Sequence, residues 1–230
     1  MTAAIADLER ARFNMIEQQI RPWDVLDLQV LELLSLVRRE DFVPLAHKAL
    51  AFTDMQIPLL QPTEQALQQG HCMLEPKVEA RILQDLQVAP HEKVLEVGAG
   101  SGYMAALLAS RAQRVISLEL KPELVQMARA NLQRAGLSNV EIREADGAKG
   151  LAGEAPFDVI VLSGSVAEVP APLLAQLKIG GRLSAAVGFE PVMRATFITR
   201  TGETTYTTAQ PWDTVAPRLA HFPEPSRFNF

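Results

Sequence analysis

Apolar positions along this chain follow three successive rhythms. Over roughly the first ninety residues the spacing is helical. Phe13, Ile16 and Ile20 recur at intervals that place them on one face of a helix over residues 10–20. The run DLQVLELLSLV predicts a second helix over residues 27–37, with Pro44 beyond its end. Residues 52–76 carry Pro58, Pro62 and Pro76 around the polar stretch QPTEQALQQG, which reads as a long loop holding one helical turn. A third helix is expected over residues 77–86, with Pro76 at its first position, where a missing N–H breaks no helical bond.

From residue 91 to 190 strand-like and helix-like runs alternate. Residues 93–97, 114–118, 140–143, 157–162 and 182–187 read as strands, the last one following Gly180-Gly181. Residues 103–111, 122–135 and 172–177 read as helices between them. This order implies a parallel sheet covered on both faces. Residues 195–200 and 204–209 then alternate about Thr201-Gly202-Glu203 like a β-hairpin. The expected fold is α/β: a doubly wound, mainly parallel sheet (91–190) with an N-terminal helical cap and loop (1–90) and a C-terminal hairpin and tail (191–230), all in one compact unit.

Composition narrows the class without naming a chemistry. With 230 residues, 48% of them hydrophobic and 21% charged, the chain can bury a core and is neither fibrous nor disordered. No apolar run approaches the roughly 18 residues needed to span a bilayer, and the segment MTAAIADLERARF does not read as a signal peptide. The net charge is −5 and no basic cluster exceeds Arg38-Arg39, which disfavours nucleic acid. The single cysteine, Cys72, excludes an intramolecular disulfide and a multi-cysteine metal site, so no metal is assigned and a reducing, cytoplasmic setting is expected. His47, His91 and His221 read as scattered surface or packing residues, and Trp23 and Trp212 as packing residues.

The most informative segment is Val94-Leu95-Glu96-Val97-Gly98-Ala99-Gly100-Ser101-Gly102, a strand running into glycines at every second position and then a helix. Glycine permits positive φ and close approach of a ligand to the backbone. The spacing is G-x-G-x-G, and Tyr103 stands where a dinucleotide-binding turn would carry its third glycine. Glu96 precedes the turn. Glu119, followed by Leu120, ends the next strand, where a carboxylate can accept hydrogen bonds from both ribose hydroxyls. Asp146-Gly147 follows the third strand. Glycines, a ribose acid and an adenine-side acid together describe an adenosyl ligand.

This turn resembles motif I of class I S-adenosylmethionine-dependent methyltransferases. The resemblance implies that Glu96 sits near the methionine amine, that Gly98, Ala99, Gly100, Ser101 and Gly102 line the cofactor, that Glu119 and Leu120 flank the ribose, and that Asp146 and Gly147 face the adenine. The cofactor would be S-adenosylmethionine and its product S-adenosylhomocysteine. Further segments resemble the protein-L-isoaspartate O-methyltransferase family: MIEQQIR at 15–21, RREDFVP at 38–44, AFTD at 51–54, ADG at 145–147, PFDVIVLSGSVAEVP at 156–170, and VAP at 215–217. The resemblance covers about residues 13–219 and implies a peptide or protein substrate, with a monomer favoured.

The chain departs from that family in its substrate loop. The usual pattern G-x-T-I-S-x-P here reads Gly70-His71-Cys72-Met73-Leu74-Glu75-Pro76. Cys72 replaces the Thr and Leu74 the Ser, the 55–69 stretch before it looks longer than usual, and Val192 stands where a Gln is common. No catalytic residue is assigned, because the family's Ser position is Leu74. Cys72 as a nucleophile is disfavoured, since cytosine-type enzymes carry theirs as Pro-Cys after the fourth strand. Leu162-Ser163-Gly164-Ser165 also lacks the Pro-Pro-aromatic signature of nucleic-acid amino-methylating enzymes. Ser163 and Ser165 either line the methyl-transfer cleft or cap the strand, and the tail from His221 is either a loose end or docks on a neighbour. Three functions fit: isoaspartyl methylation, methylation of another small or protein acceptor, and non-catalytic cofactor binding. A cleft plugged by Met73 and Leu74 would favour the last.

Overall fold

The alternation expected beyond residue 91 forms one seven-stranded sheet. The computed structural model of the chain describes residues 2–225. The N-terminal cap holds α1 (Thr2–Met15), α2 (Leu28–Leu36), a short ribbon strand β1 (Ile57–Pro58), α3 (Thr63–Gln68), its antiparallel partner β2 (Cys72–Met73), and α4 (Pro76–Leu86). There follow β3 (Lys93–Val97), α5 (Tyr103–Ala109), β4 (Arg114–Glu119), α6 (Pro122–Arg134), β5 (Val140–Glu144), β6 (Phe157–Val166), α7 (Ala171–Leu174) and β7 (Leu177–Phe189). The chain closes with β8 (Val192–Arg200) and β9 (Tyr206–Thr214). Strand order is β5-β4-β3-β6-β7-β8-β9, parallel from β5 to β7 and antiparallel from β7 to β9. The order reverses at β3, between β4 and β6, so the turn after β3 opens at the point where such sheets bind ligands.

The pleat sorts alternate side chains to two apolar layers. Val94, Val115 and Val159 pack with Met15, Leu34 and Leu107 on the side that carries the cap. Leu95, Ile116 and Ile160 pack with Leu173, Leu183 and Phe222 on the other. Asp27 starts α2 by accepting hydrogen bonds from the Gln29 and Val30 amides at 2.8 and 3.4 Å, so the predicted helix begins one residue inside its expected bound.

Several expectations are corrected. The helix expected over 10–20 begins at Thr2 and gives way to a π-helical turn over Ile16–Ile20. The buried face runs through Arg12, Met15, Ile16 and Ile20, while Phe13 is 61% exposed. The long loop of 52–76 contains the β1–β2 ribbon as well as its helical turn. Gly180-Gly181 lie inside β7 and not before it, and the helix of 172–177 is only Ala171–Leu174. At Gly181 a Cβ would stand 2.9–3.0 Å from the carbonyl oxygens of Phe157, Lys178 and Asp158, so glycine lets two backbones meet where the β6–β7 register shifts.

Candidate active site

Three glycines with positive φ shape the turn after β3: Gly98 at +94°, Gly100 at +53° and Gly102 at +83°. The Gly98 amide donates to the Leu118 carbonyl at 2.8 Å, which pins the turn to the end of β4. One residue further along β4, the Glu119 carboxylate accepts from the Gly100 amide at 2.9 Å and from the Lys121 amide at 3.0 Å. Each carboxylate oxygen accepts one backbone bond and retains acceptor capacity for another donor. The Glu119 carboxylate is therefore held in place by the backbone alone.

These groups face a cleft of about 160 Å³ at the carboxyl ends of β3, β4 and β5. Of the sequence-predicted residues, Gly98, Gly100, Glu119 and Leu120 line it, as do Asp146, Gly147 and Ser163. Glu96, Ala99, Ser101 and Gly102 stand behind it. The Ser101 carbonyl accepts from Asn131 Nδ2 at 2.8 Å, and Gly102 lies against the Ala128 backbone, so both fasten the turn to α6. Glu96 is fully buried. Its carboxyl accepts from Ser163 Oγ at 2.7 Å and from Ser117 Oγ at 2.6 Å, so it reaches the cleft only through Ser163.

Burial pushes the Glu96 carboxyl up to about 7, against the pull of the two serine hydroxyls. A raised carboxyl pKa favours the folded state at low pH. That advantage erodes as pH climbs from about 4.5, where the unfolded chain ionises, to about 7, and is level above. Glu96→Gln is therefore expected to gain stability on wild type between pH 5 and pH 8, by roughly 2 kcal/mol. Urea unfolding at the two pH values measures this; equal differences at both would contradict it.

The cleft has walls the sequence did not announce. His71 and Cys72 line it from the substrate loop. Burial, with Lys121 nearby, holds the His71 imidazole below its usual pKa and hence neutral at pH 7. Burial and the charges of Glu75 and Glu79 push the Cys72 thiol up to about 12, which keeps it protonated and supports its reading as a non-nucleophile. Leu74 does not enter the cleft. It is buried and borders a narrow apolar cavity with Val78, Phe197 and Trp212. Met73 is buried too, so neither side chain plugs the cofactor side. Trp212 donates Nε1–H to Asp85 at 2.8 Å, a packing role, whereas Trp23 is 44% exposed under the Lys77 ammonium.

The tail docks on its own chain as far as it is described. Ser165 donates its amide to the Pro217 carbonyl at 2.7 Å and accepts from the Leu219 amide at 2.9 Å. Leu219 then packs beside Gly98 and Gly164, and Phe222 lines the cleft and joins the core. His221, read from the sequence as a surface or packing residue, has Nδ1 2.8 Å from Asp146 Oδ2. The part of the tail beyond residue 225 lies outside the described residues.

A glycine turn at the switch point, a tethered strand-end acid and a hairpin-extended parallel sheet define the Rossmann-like, class I S-adenosylmethionine-dependent methyltransferase fold. Comparison with known proteins takes this further. The chain belongs to the protein-L-isoaspartate O-methyltransferase family, whose model, "Protein-L-isoaspartate(D-aspartate) O-methyltransferase (PCMT)", matches residues 10–213. It is 39% identical over 179 residues to a protein-L-isoaspartate O-methyltransferase of Methanoculleus marisnigri, covering 78% of each chain. It is 38% identical over 201 residues to a protein-L-isoaspartate O-methyltransferase 2 of Marinobacter nauticus, covering 87% of this chain and 88% of that one. Among solved structures, a Plasmodium falciparum putative protein-L-isoaspartate O-methyltransferase in complex with S-adenosyl-L-homocysteine superposes with a TM-score of 0.72 at 18% identity, over 90% of this chain and 98% of that one. Another protein-L-isoaspartate O-methyltransferase gives a TM-score of 0.74 at 20% identity, over 91% of this chain and 66% of that longer one. Among the described residues no helix is long and apolar enough to cross a membrane.

Proposed function

We propose that this methyltransferase esterifies the isoaspartyl α-carboxylate of damaged peptides or proteins, using S-adenosylmethionine. The observation that carries the reading is the cleft itself. Gly98, Gly100, Glu119 and Asp146 all line it, and the Glu119 carboxylate keeps lone pairs able to accept from a ribose diol. S-adenosylmethionine, when bound there, supplies an electrophilic methyl group on a sulfonium. The acceptor carboxylate has a reference pKa near 4 and is ionised at pH 7, so no general base is required. An acceptor oxygen forms the O–CH3 bond as the S–CH3 bond breaks, the bonding pair stays on sulfur, and no proton moves. The protein's work is alignment and exclusion of water. The following amide nitrogen then attacks the methyl ester carbonyl and expels methanol, and water reopens the resulting succinimide partly to normal aspartate.

Leu74 favours a second reading, methylation of a different acceptor. Its side chain cannot replace the hydroxyl that the family pattern places there, and it turns into an apolar cavity. Tritiated cofactor offered with an isoaspartyl peptide and with its aspartyl twin separates the two. Base-labile label on the isoaspartyl peptide alone is the expected result. Equal or absent incorporation would sink the repair function and leave the second reading.

A further inference from the structure

Behind the substrate loop lies an ion pair that takes no part in the cleft. Arg39 is fully buried within the cap, beside α4. Its guanidinium makes three contacts, each to a different part of the molecule. Nη1 pairs with the Glu79 carboxylate on α4. Nη2 donates to the Leu74 carbonyl at 2.7 Å. The guanidinium carbon lies 5.1 Å from the centroid of the Tyr103 ring, the first residue of the helix that follows the glycine turn. Phe42 closes the arrangement edge-on against Tyr103 at 5.4 Å.

A buried ion pair is a poor source of stability, because desolvation of both charges offsets their attraction. Positional consequence is a better account of it. The Leu74 carbonyl has Arg39 as its donor, and it belongs to the loop whose preceding residues, His71 and Cys72, wall the cleft. One rigid, planar cation thus ties that loop to α4 and to the base of the cofactor turn.

We propose that Arg39 is a positioning residue for the acceptor side of the site, holding the 70–76 loop at a fixed distance from the cofactor turn through the Leu74 carbonyl. It touches neither acceptor nor cofactor and acts through the loop. The effect on acceptor turnover rests on the methyltransferase reading above, whereas the effect on the loop does not.

The test uses R39M/E79M, which replaces the pair by apolar side chains of similar size, a change that commonly leaves a protein folded. Cys72 is the only cysteine of the chain and lies within the loop, so its labelling by a soluble disulfide reagent reports the loop alone. Labelling is expected to be at least tenfold faster in R39M/E79M than in wild type, with S-adenosylhomocysteine affinity by calorimetry within threefold. KM for an isoaspartyl peptide should rise at least tenfold with a smaller change in kcat, and R39K, which keeps a donor for Leu74, should recover most of both. Unchanged labelling with unchanged KM would overturn the assignment, as would loss of cofactor affinity in parallel with KM. If wild type methylates no isoaspartyl peptide, the substrate reading falls and the labelling rate decides the role of Arg39 by itself.

Discussion

Replacing Glu119 with alanine should weaken S-adenosylhomocysteine binding about 100-fold, read by calorimetry. Two effects add. The ribose loses a charged acceptor, and hydrogen bonds to charged groups contribute about 1.5–3 kcal/mol each. The Gly100 and Lys121 amides also lose the partner that fixes the turn before binding. Glu119→Gln keeps an acceptor for one amide and should lose about tenfold. Affinity within threefold of wild type in the alanine variant would refute the ribose assignment while leaving the fold untouched.

The second large effect concerns the fold. Gly102→Val is expected to destabilise the protein by roughly 3 kcal/mol, combining strain at positive φ with overpacking. Gly102 has a φ of +83°, and its Cβ would meet the Cα and Cβ of Ala128 at 3.2 Å and its carbonyl oxygen at 3.3 Å. The atoms in the way are the backbone of α6, which cannot step aside as a flexible side chain would. Thermal unfolding should fall by roughly 6–12 °C. Gly153→Ala, at a site with nothing within 4 Å, serves as the control and should shift stability by less than about 0.5 kcal/mol. Comparable losses in both variants would mean that the crowding at Ala128 is not the cause.

The parts of this molecule that were legible in the sequence are those fixed by short-range physics. Residues 93–97 and 157–162 are apolar runs because a parallel strand is covered on both faces, and β3 and β6 lie where those runs fall. The G-x-G-x-G turn and Glu119 were legible because backbone geometry dictates residue type over a few positions. Family likeness added the N-terminal segments that no periodicity distinguishes. What escaped depends on contacts between distant segments. The π-helical turn at Ile16 has no local marker, and the exposure of Phe13 follows from how the cap packs. The resemblance implies that Glu96 sits near the methionine amine; its hydrogen bonds from Ser117 and Ser163, set by the alternation of β3, were not legible in the sequence. His221 carried no hint of Asp146, because the two meet only when the tail crosses the end of the sheet. Leu74 read as a damaged substrate contact, yet in three dimensions it is a core side chain whose carbonyl is the part held in position.

The tail docked beside β6 has a consequence for the behaviour of the whole chain. The cleft's walls come from the substrate loop, the glycine turn, the ends of β4, β5 and β6, and the tail, stretches that touch one another only in the folded state. A ligand seated among them joins segments between Gln69 and Phe222, about two-thirds of the polypeptide, as a bolt joins the plates it passes through. Binding to the folded form alone raises its stability by RT ln(1 + [L]/Kd), about 2.7 kcal/mol at a hundredfold excess over Kd. A saturating S-adenosyl ligand is therefore expected to slow proteolysis of the folded chain in vitro by a like factor, quite apart from any effect on turnover.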